Sequence, residues 1–142
     1  MCSPRFSSHQ DFGVKLWEKM GAPKEKLIIG LATYGRSFTL TSPTLATGMN
    51  APSSGGGKAG EFTRESGFLA FYEVCELLKS GTARYIWDDE QKVPYAVAGD
   101  QWVGFDDERS LREKLKWIND NGYGGAMVWT VDMVGDRVGS SS

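Results

Sequence analysis

The sequence predicts an α/β fold interrupted by an antiparallel region. Two apolar segments of strand length, residues 26–34 and 124–131, each follow an amphipathic helical pattern. Continuous apolar strands are typical of a parallel sheet that is covered on both faces. Short aromatic and β-branched segments lie between them, as in antiparallel hairpins. Because parallel strands need a crossover connection, the two apolar segments are predicted to be neighbouring strands of a larger sheet.

The first helix is predicted over residues 11–21. Apolar side chains recur on one helical face from Phe12 to Met20, Asp11 stands near the start, and Gly21 follows the last turn. These are ordinary start, stop and periodicity signals of an amphipathic helix. The first buried strand is therefore preceded by a helix, which gives half of a βαβ unit.

The middle of the chain predicts a long surface loop, a helix and a small sheet. Residues 41–60 are rich in Ser, Thr, Gly and Pro without periodicity, which favours a loop. Apolar residues recur at intervals of three and four over 65–79, which predicts a second amphipathic helix. Three short segments, 83–87, 93–97 and 101–105, are separated by turn residues and predict antiparallel strands.

A third helix is predicted before the second apolar strand. Asp106 and Asp107 offer an N-cap, apolar side chains from Leu111 to Ile118 line one face, and Gly122 stands where a C-terminal glycine is expected.

Composition limits the classes of function. The chain has 142 residues, fewer than the ~200 that a closed eight-stranded α/β barrel needs. Its 18 acidic and 16 basic residues give a net charge of −2 without a basic cluster, so neither nucleic acid nor a membrane is an expected partner. The longest apolar run, 27–32, is far shorter than a membrane span, and residues 1–10 lack the apolar centre of a secretory signal. A soluble chain is expected.

Metal and cofactor sites are not predicted. Cys2 and Cys75 are the only cysteines, and they fit neither a disulfide framework nor a paired metal-ligand spacing. His9 is the only histidine, which excludes a histidine-based metal cluster. We therefore expect no metal and no cofactor.

Four motifs share a resemblance to one enzyme family. They are Tyr34-Gly-Arg36-Ser-Phe38, Gln91-Lys-Val-Pro-Tyr95, Gln101-Trp-Val-Gly-Phe-Asp-Asp107 and Gly124-Gly-Ala-Met-Val-Trp129. In order and at compatible spacing, they resemble the C-terminal part of family 18 glycoside hydrolases, the chitinases and chitinase-like lectins of animals. The resemblance covers roughly residues 11–133.

The resemblance implies a partial TIM barrel, contributing its last two strands, that carries an α+β chitin-insertion domain. The implied division has five parts: a polar leader (1–10), a barrel helix and seventh strand (11–39), the insertion domain (40–106), a barrel helix and eighth strand (107–133), and a disordered tail (134–142).

The sequence also departs from the family pattern. The family's acid motif, DxxDxDxE, occurs nowhere in the chain, and neither does the Tyr-Asp pair expected at the end of the sixth barrel strand. Family 18 hydrolysis needs a carboxylic acid to protonate the leaving oxygen, while the substrate's own N-acetyl group is the nucleophile. No catalytic residue is therefore assigned, and the chain alone is predicted to be inactive. The family's cysteine partner for the position of Cys75 is also absent.

The resemblance assigns four substrate-binding residues: Tyr34, Arg36, Glu65 and Trp129. Trp129 matches the tryptophan that forms the floor beneath the cleaved sugar, and the alternative is a core tryptophan in a buried strand. Tyr34 and Arg36 alternate along a strand end and match residues that hydrogen-bond the sugar; packing and a surface ion pair are their alternatives. Glu65 matches a cleft carboxylate, and the alternative is an acid in the first turn of a helix.

Further aromatic residues of the short strands are expected to form the core of the small sheet rather than a sugar platform. They are Tyr85, Trp87, Tyr95 and Trp102.

Three hypotheses about function remain open. The chain is a fragment of a secreted chitinase that hydrolyses β-1,4 N-acetylglucosamine linkages, a non-catalytic chitinase-like lectin that binds chito-oligosaccharides, or a truncated product without function. Extracellular localisation follows from the resemblance alone. The sequence that precedes residue 1 would decide among them, because it shows whether the acid motif is present, altered or absent.

Overall fold

The computed structural model describes residues 8–44 and 47–134, which form two β-sheets and three α-helices. The helices are α1 (Ser8–Lys19), α2 (Phe71–Lys79) and α3 (Glu108–Asn121). The strands are β1 (Ile28–Ala32), β2 (Tyr34–Leu40), β3 (Ser53–Gly56), β4 (Phe68–Ala70), β5 (Arg84–Asp88), β6 (Val93–Ala98), β7 (Gln101–Gly104) and β8 (Gly125–Trp129). Short 3₁₀ turns cover Lys24–Lys26 and Val131–Met133. None of the helices in residues 8–44 and 47–134 combines the length and the hydropathy that a membrane-spanning helix needs.

The first sheet consists of β1 and β8. The strands run parallel, with Ile28 opposite Gly125 and Ala32 opposite Trp129. The predicted parallel pairing of the two apolar segments is therefore confirmed. One core cluster covers the sheet, with α1 and α3 contributing to it; its buried members are Ile29, Leu31, Ile118 and Tyr123.

The second sheet is antiparallel, with the strand order β3-β2-β7-β6-β5 and with β4 also paired to β2. Helix α2 packs on one face over a core of Val74, Ala96, Val103 and Phe105. The opposite face, here called the outer face, presents Tyr34, Arg36, Phe38 and Leu40 from β2, because alternate residues of a strand point the same way. Leu40, Tyr95 and Val97 form a smaller core cluster on it, with Trp102 packed alongside.

Helix α3 has the ends that its sequence predicts. The side chain of Asp107 accepts a hydrogen bond from the Ser110 backbone at 2.8 Å, and the Ser110 hydroxyl accepts one from the Asp107 backbone at 2.9 Å. Such reciprocal capping satisfies donors that a helix start otherwise leaves free. Gly122 ends the helix in the left-handed conformation at φ 71°, which a residue without Cβ adopts at little cost.

The strand predicted over 26–34 is wrong at its C-terminal end. β1 ends at Ala32, and Tyr34 begins a separate strand of the antiparallel sheet. Thr33 lies between them, with its N–H donated to Trp129 of β8 and its carbonyl oxygen accepting from Phe71 of α2. The predicted boundary between the barrel part and the insertion domain, between residues 39 and 40, therefore falls inside β2. All strands that pair with β2 belong to the antiparallel sheet.

The segment before α2 also differs from its prediction. Residues 68–70 form a strand, not helix, because they pair with Tyr34, Gly35 and Arg36 of β2. Glu65 therefore precedes the helix by six residues, and its interpretation as an acid in the first helical turn is wrong. The loop predicted over 41–60 contains β3, which pairs with the end of β2.

Strand β8 is more exposed than a buried strand would be. Its residues from Ala126 to Trp129 are exposed, because β1 is the only described strand that pairs with it. The predicted leader overlaps α1, which begins at Ser8, and otherwise lies outside the described residues. So does nearly all of the predicted tail, 134–142.

Candidate functional site

Arg36 and two aromatic rings form the centre of the candidate site. The Arg36 guanidinium lies 5.5 Å from the ring centroid of Tyr34 and 5.3 Å from that of Phe68. The two rings are themselves 4.9 Å apart at an angle of 32°. Strand pairing explains this contact, because Phe68 of β4 is the partner of Arg36 on β2. The rings hold the guanidinium through cation–π attraction and leave its N–H donors free for a ligand.

The Arg36 guanidinium makes no hydrogen bond or ion pair with any other residue that the structure describes. The Arg36 side chain is exposed, whereas Tyr34 and Phe68 are half-buried. Of the four predicted site residues, the structure thus brings Tyr34 and Arg36 together. It adds Phe68, which the sequence placed in a helix and which no local signal assigned to the site.

Trp129 lies on the neighbouring sheet, at the end of β8. Trp129 is 63% exposed in this chain. The carbonyl oxygen of Trp129 accepts the Thr33 N–H at 3.1 Å, and the Thr33 hydroxyl donates to the Thr130 carbonyl oxygen at 2.6 Å. Through Thr33 the backbone of Trp129 is tied to the segment that leads into β2, where Tyr34 lies.

Glu65 lies at the surface on the turn that leads into β4. Its carboxylate is exposed and makes no hydrogen bond or ion pair within the described residues. The turn is tied to β2, because the Gly67 carbonyl oxygen accepts the Ser37 N–H at 3.1 Å. Glu65 does not line the cavities beside Arg36, so the structure leaves it apart from the Tyr34–Arg36 pair.

A second carboxylate, Glu73, holds this turn in place through hydrogen bonds, and no sequence pattern pointed to it. Its side chain is 7% exposed and accepts hydrogen bonds from the backbone of Phe62, Thr63 and Ala70 and from the Thr63 hydroxyl. Burial raises the pKa of Glu73, but these donors outweigh that effect and hold the pKa below its ordinary value. Glu73 is therefore an ionised anchor for the turn that presents Glu65 and Phe68.

A buried ion pair lies behind Tyr34 and Arg36. The Lys114 ammonium is 2.6 Å from an Asp106 carboxylate oxygen, and the other oxygen accepts the Ser110 hydroxyl at 2.8 Å. Both side chains are buried, with 8% of Lys114 and 6% of Asp106 exposed. Both residues line a cavity of about 200 Å³ together with Tyr34 and Arg36. The positive charge of Lys114 and the negative charge of Asp106 compensate each other at this end of the site.

No cluster of three metal-ligating side chains occurs within residues 8–44 and 47–134. Cys75 has a free thiol, and burial raises its pKa, which makes it an unreactive nucleophile at neutral pH. Cys2 lies outside the described residues.

The profile of the Glycosyl hydrolases family 18 matches residues 3–133. The chain belongs to this family. The resemblance that the four motifs indicate is thereby confirmed. Human chitinase-3-like protein 2 is 46% identical over 123 residues, which are 87% of this chain and 30% of that protein. The endochitinase of Manduca sexta is 41% identical over 126 residues, 85% of this chain and 23% of that protein.

Solved structures of family 18 proteins show the same fold. Human YKL-39, described as a pseudo-chitinase with retained chitooligosaccharide binding properties, matches with a TM-score of 0.82 at 45% identity. The alignment covers 87% of this chain and 33% of that chain. An immunomodulatory active chitinase from Trichuris suis matches with a TM-score of 0.84 at 44% identity, covering 94% of this chain and 36% of that one. The fold is therefore the mixed α/β fold of family 18 chitinase domains.

The chain spans between 23% and 36% of the length of these family 18 relatives. It is a family 18 chitinase-like fragment whose similar proteins include both a chitinase and a pseudo-chitinase.

Proposed function

We propose that the chain contributes a chito-oligosaccharide-binding wall to a longer family 18 protein. The observation that supports this most is the Arg36 guanidinium, held against the rings of Tyr34 and Phe68 with its N–H donors free. Aromatic faces match the apolar face of a sugar ring, and the guanidinium donates to hydroxyl and acetamido oxygens. For the longer protein we also propose Trp129 as the floor of the site and Glu65 as a further sugar contact, although Glu65 lies apart from the Tyr34–Arg36 pair in this chain.

In the proposed division of the protein, β1 and β8 with α1 and α3 are the end of a TIM barrel. The antiparallel sheet with α2 is the chitin-insertion domain, and the division between the two lies at Thr33 rather than after residue 39. The exposed side chains of Ile28 and Met127, 54% and 49% accessible, support this proposal. Strands in a closed barrel have a partner on both sides, and the rest of the barrel would cover these residues.

The longer protein is proposed to hydrolyse β-1,4 N-acetylglucosamine linkages, with its proton donor outside this chain. A chitinase-like lectin without the donor is the second candidate, because human YKL-39 is described as a pseudo-chitinase that retains chitooligosaccharide binding. A truncated product without function is the third. The coding sequence upstream of residue 1 separates the first two candidates. A DxxDxDxE motif that ends in Glu favours the hydrolase, and the same motif with the Glu replaced favours the lectin. An authentic start at Met1 favours the third candidate.

Extracellular localisation is proposed from similarity to glycoproteins such as the oviduct-specific glycoprotein of Sus scrofa, which is 42% identical. Expression of the complete reading frame, with assay of the medium and the cells, tests it. Retention of the protein inside the cells would contradict it.

The binding proposal is tested by titrating the ¹⁵N-labelled chain with chitotetraose and cellotetraose. We expect a Kd of about 1 mM or weaker, because most of a barrel groove is absent. The indole signal of Trp129 should move with chitotetraose and not with cellotetraose, since the acetamido group is what Arg36 addresses.

Two arginine variants make this test specific. Arg36→Gln should abolish the shifts, whereas Arg109→Gln should preserve them. Arg109 is also an exposed arginine stacked on an aromatic ring, 3.7 Å from the Trp87 centroid, but it lies outside the site. Equal responses to both sugars, or equal effects of the two variants, would overturn the proposed function.

A further inference from the structure

A cavity of about 320 Å³ lies on the face of the antiparallel sheet that α2 covers, here called the inner face. Small-molecule sites typically have volumes of ~300–1,000 Å³, so this one has room for a compact ligand. Strands β2, β4, β6 and β7, helix α2 and the segment 58–61 line it. Ser37 of β2 is the cross-strand partner of Val103, which lies in the core beneath α2, so both side chains point to the inner face. Arg36 points to the outer face, and this inner-face cavity is therefore separate from the candidate site.

Ser37 gives the inner-face cavity a buried polar group without a partner. Its side chain lines the cavity and is 3% exposed. The Ser37 hydroxyl makes no hydrogen bond within the part of the chain that the structure describes. Buried polar side chains in proteins nearly always have a partner, so this hydroxyl is available to a polar atom of a ligand.

The floor of the inner-face cavity is apolar. Leu69, Leu77, Ala98 and Val103 line it, and Val103 is only 2% exposed. Leu69 and Leu77 are half-buried and pack against the core cluster that contains Val103. A ring or a short hydrocarbon chain placed on this floor would remove further apolar surface from water, which is favourable.

The rim of the inner-face cavity is acidic. Among the described residues, Glu61, Glu73 and Glu76 line it with Lys58 as the one base, which leaves a net charge of −2. The Lys58 ammonium lies 3.9 Å from the carboxylate of Asp100, outside the lining, and Glu73 is occupied by its hydrogen bonds to the turn. Glu61 and Glu76 are exposed and make no side-chain hydrogen bond or ion pair within the described residues. These two carboxylates attract a cation and repel an anion.

We propose that the inner-face cavity binds a small organic cation, a primary amine that carries an aromatic ring and a hydroxyl group. The ring packs against Leu69, Leu77 and Val103. The ammonium group lies at the carboxylates of Glu61 and Glu76, and the ligand's hydroxyl forms a hydrogen bond with Ser37. The site lies on the opposite side of the sheet from Arg36, so this inference does not rest on the proposed function.

The test is an NMR titration of the ¹⁵N-labelled full chain with tyramine, which has a protonated amine, an aromatic ring and a phenolic hydroxyl. We expect a Kd of about 1–5 mM, as is typical of a ligand of this size. The backbone N–H signals of Leu77 and Ala98 should shift, whereas the indole signal of Trp129 should not. A buffer of about 20 mM ionic strength limits the screening of the exposed carboxylates.

Two analogues of tyramine test its two polar contacts. Phenethylamine lacks the hydroxyl and should bind about three- to tenfold more weakly than tyramine. Phloretate keeps the hydroxyphenyl ring but has a carboxylate in place of the ammonium group. It should bind at least about tenfold more weakly than tyramine, because the rim of the cavity is acidic.

Variants of the lining make the test specific. Ser37→Ala should raise the Kd for tyramine to that for phenethylamine and leave the Kd for phenethylamine within about twofold. Glu76→Gln should weaken both amines by at least about twofold. Glu90→Gln is its matched control and should change neither Kd, because Glu90 is an exposed acid between β5 and β6, outside the cavity. Thermal unfolding checks that each variant remains folded.

Chitotetraose separates this inference from the proposed function. It should not displace tyramine, and its own failure to bind would leave the inference unaffected. The inference is wrong if tyramine causes no shift up to about 20 mM, if phloretate binds as tightly as tyramine, or if chitotetraose displaces tyramine. Wild-type affinity for tyramine in both Ser37→Ala and Glu76→Gln would likewise overturn it, since the amine would then bind elsewhere.

Discussion

The Glu73 carboxylate accepts two hydrogen bonds from Thr63, one from its backbone N–H at 3.1 Å and one from its hydroxyl at 2.8 Å. The two residues lie on either side of β4, so these bonds close the turn that contains Glu65. Two further N–H groups, from Phe62 and Ala70, bind the same carboxylate. A single buried acid on α2 thereby fixes the segment that presents Glu65 and Phe68.

Replacement of Glu73 should destabilise the chain. Glu73→Ala leaves three backbone donors without their acceptor, and each buried unsatisfied group costs about 1–3 kcal/mol. We expect the free energy of unfolding to fall by at least about 2 kcal/mol in urea titrations followed by circular dichroism. Glu76→Gln, at an exposed acid of the same helix, should change it by less than about 0.5 kcal/mol. Similar values for the two variants would contradict the anchoring role.

The stabilisation from Glu73 should depend on pH. Its pKa is lower in the folded chain than the ordinary value of 4.5. The carboxylate therefore stabilises the fold fully above that value, and the contribution declines as the pH falls below it. We expect the stability difference between wild type and Glu73→Gln to be constant from pH 7 to about 5.5 and to shrink towards pH 3. A difference that grows on acidification would show that the sign is wrong.

Sequence patterns correctly predicted several features of the fold. The N-cap at Asp107, the C-terminal Gly122 and the parallel pairing of the two apolar strands follow from sequence patterns. The end of β1 at Ala32 does not, because the turn at Thr33 exists only where Trp129 and Phe71 meet it. Strand β4 was missed for the same reason, since its three residues are defined by pairing with β2.

The candidate site shows the same limit. Family motifs led to Tyr34 and Arg36, which the structure places in contact. Phe68 contacts Arg36, which lies 32 residues earlier in the sequence, and Glu73 binds Thr63, which lies 10 residues earlier. No local sequence pattern reports either contact. Glu65 and Trp129 remain predictions, because their roles require a ligand.

The isolated chain should not hydrolyse chitin substrates. General acid catalysis contributes about 10²–10⁴-fold, and the chain has no DxxDxDxE motif to supply the acid. Incubation with a fluorogenic chitobioside should give a rate equal to that of buffer. Turnover by the wild type that Glu65→Gln abolishes would reveal an acid that the sequence did not identify.

The two sheets should differ in their resistance to opening. Strands β6 and β7 have a partner on each side and α2 over one face, whereas β8 pairs with β1 alone in the described part of the chain. Unpaired strand edges open locally or associate with other chains. Hydrogen exchange should therefore be faster in Ile28–Ala32 and Gly125–Trp129 than in Val93–Ala98, or the chain should oligomerise in light scattering. Equal protection in a monomer would contradict this.

The buried pair of Asp106 and Lys114 offers a test of packing at the junction of α3 and the outer face. Lys114→Met leaves the Asp106 carboxylate buried without its cation, and breaking such a pair costs about 3–5 kcal/mol. Lys116→Met is the matched control, because Lys116 forms an exposed pair with Asp120 on the same helix, at 2.5 Å with 71% and 59% of the side chains accessible. Exposed pairs contribute about 0–1 kcal/mol, so this variant should unfold almost like the wild type.

A double variant separates the loss of the pair from the loss of packing at Lys114. Asp106→Leu combined with Lys114→Met removes both charges and fills the space with apolar side chains, a replacement that buried pairs often tolerate. We expect it to be more stable than Lys114→Met alone by at least about 1 kcal/mol in urea unfolding at pH 7. If the double variant is the less stable of the two, the Ser110 bond to Asp106 and the packing of its carboxylate matter more than the unpaired charge. In that case the burial of the charge is not what makes Lys114→Met unstable.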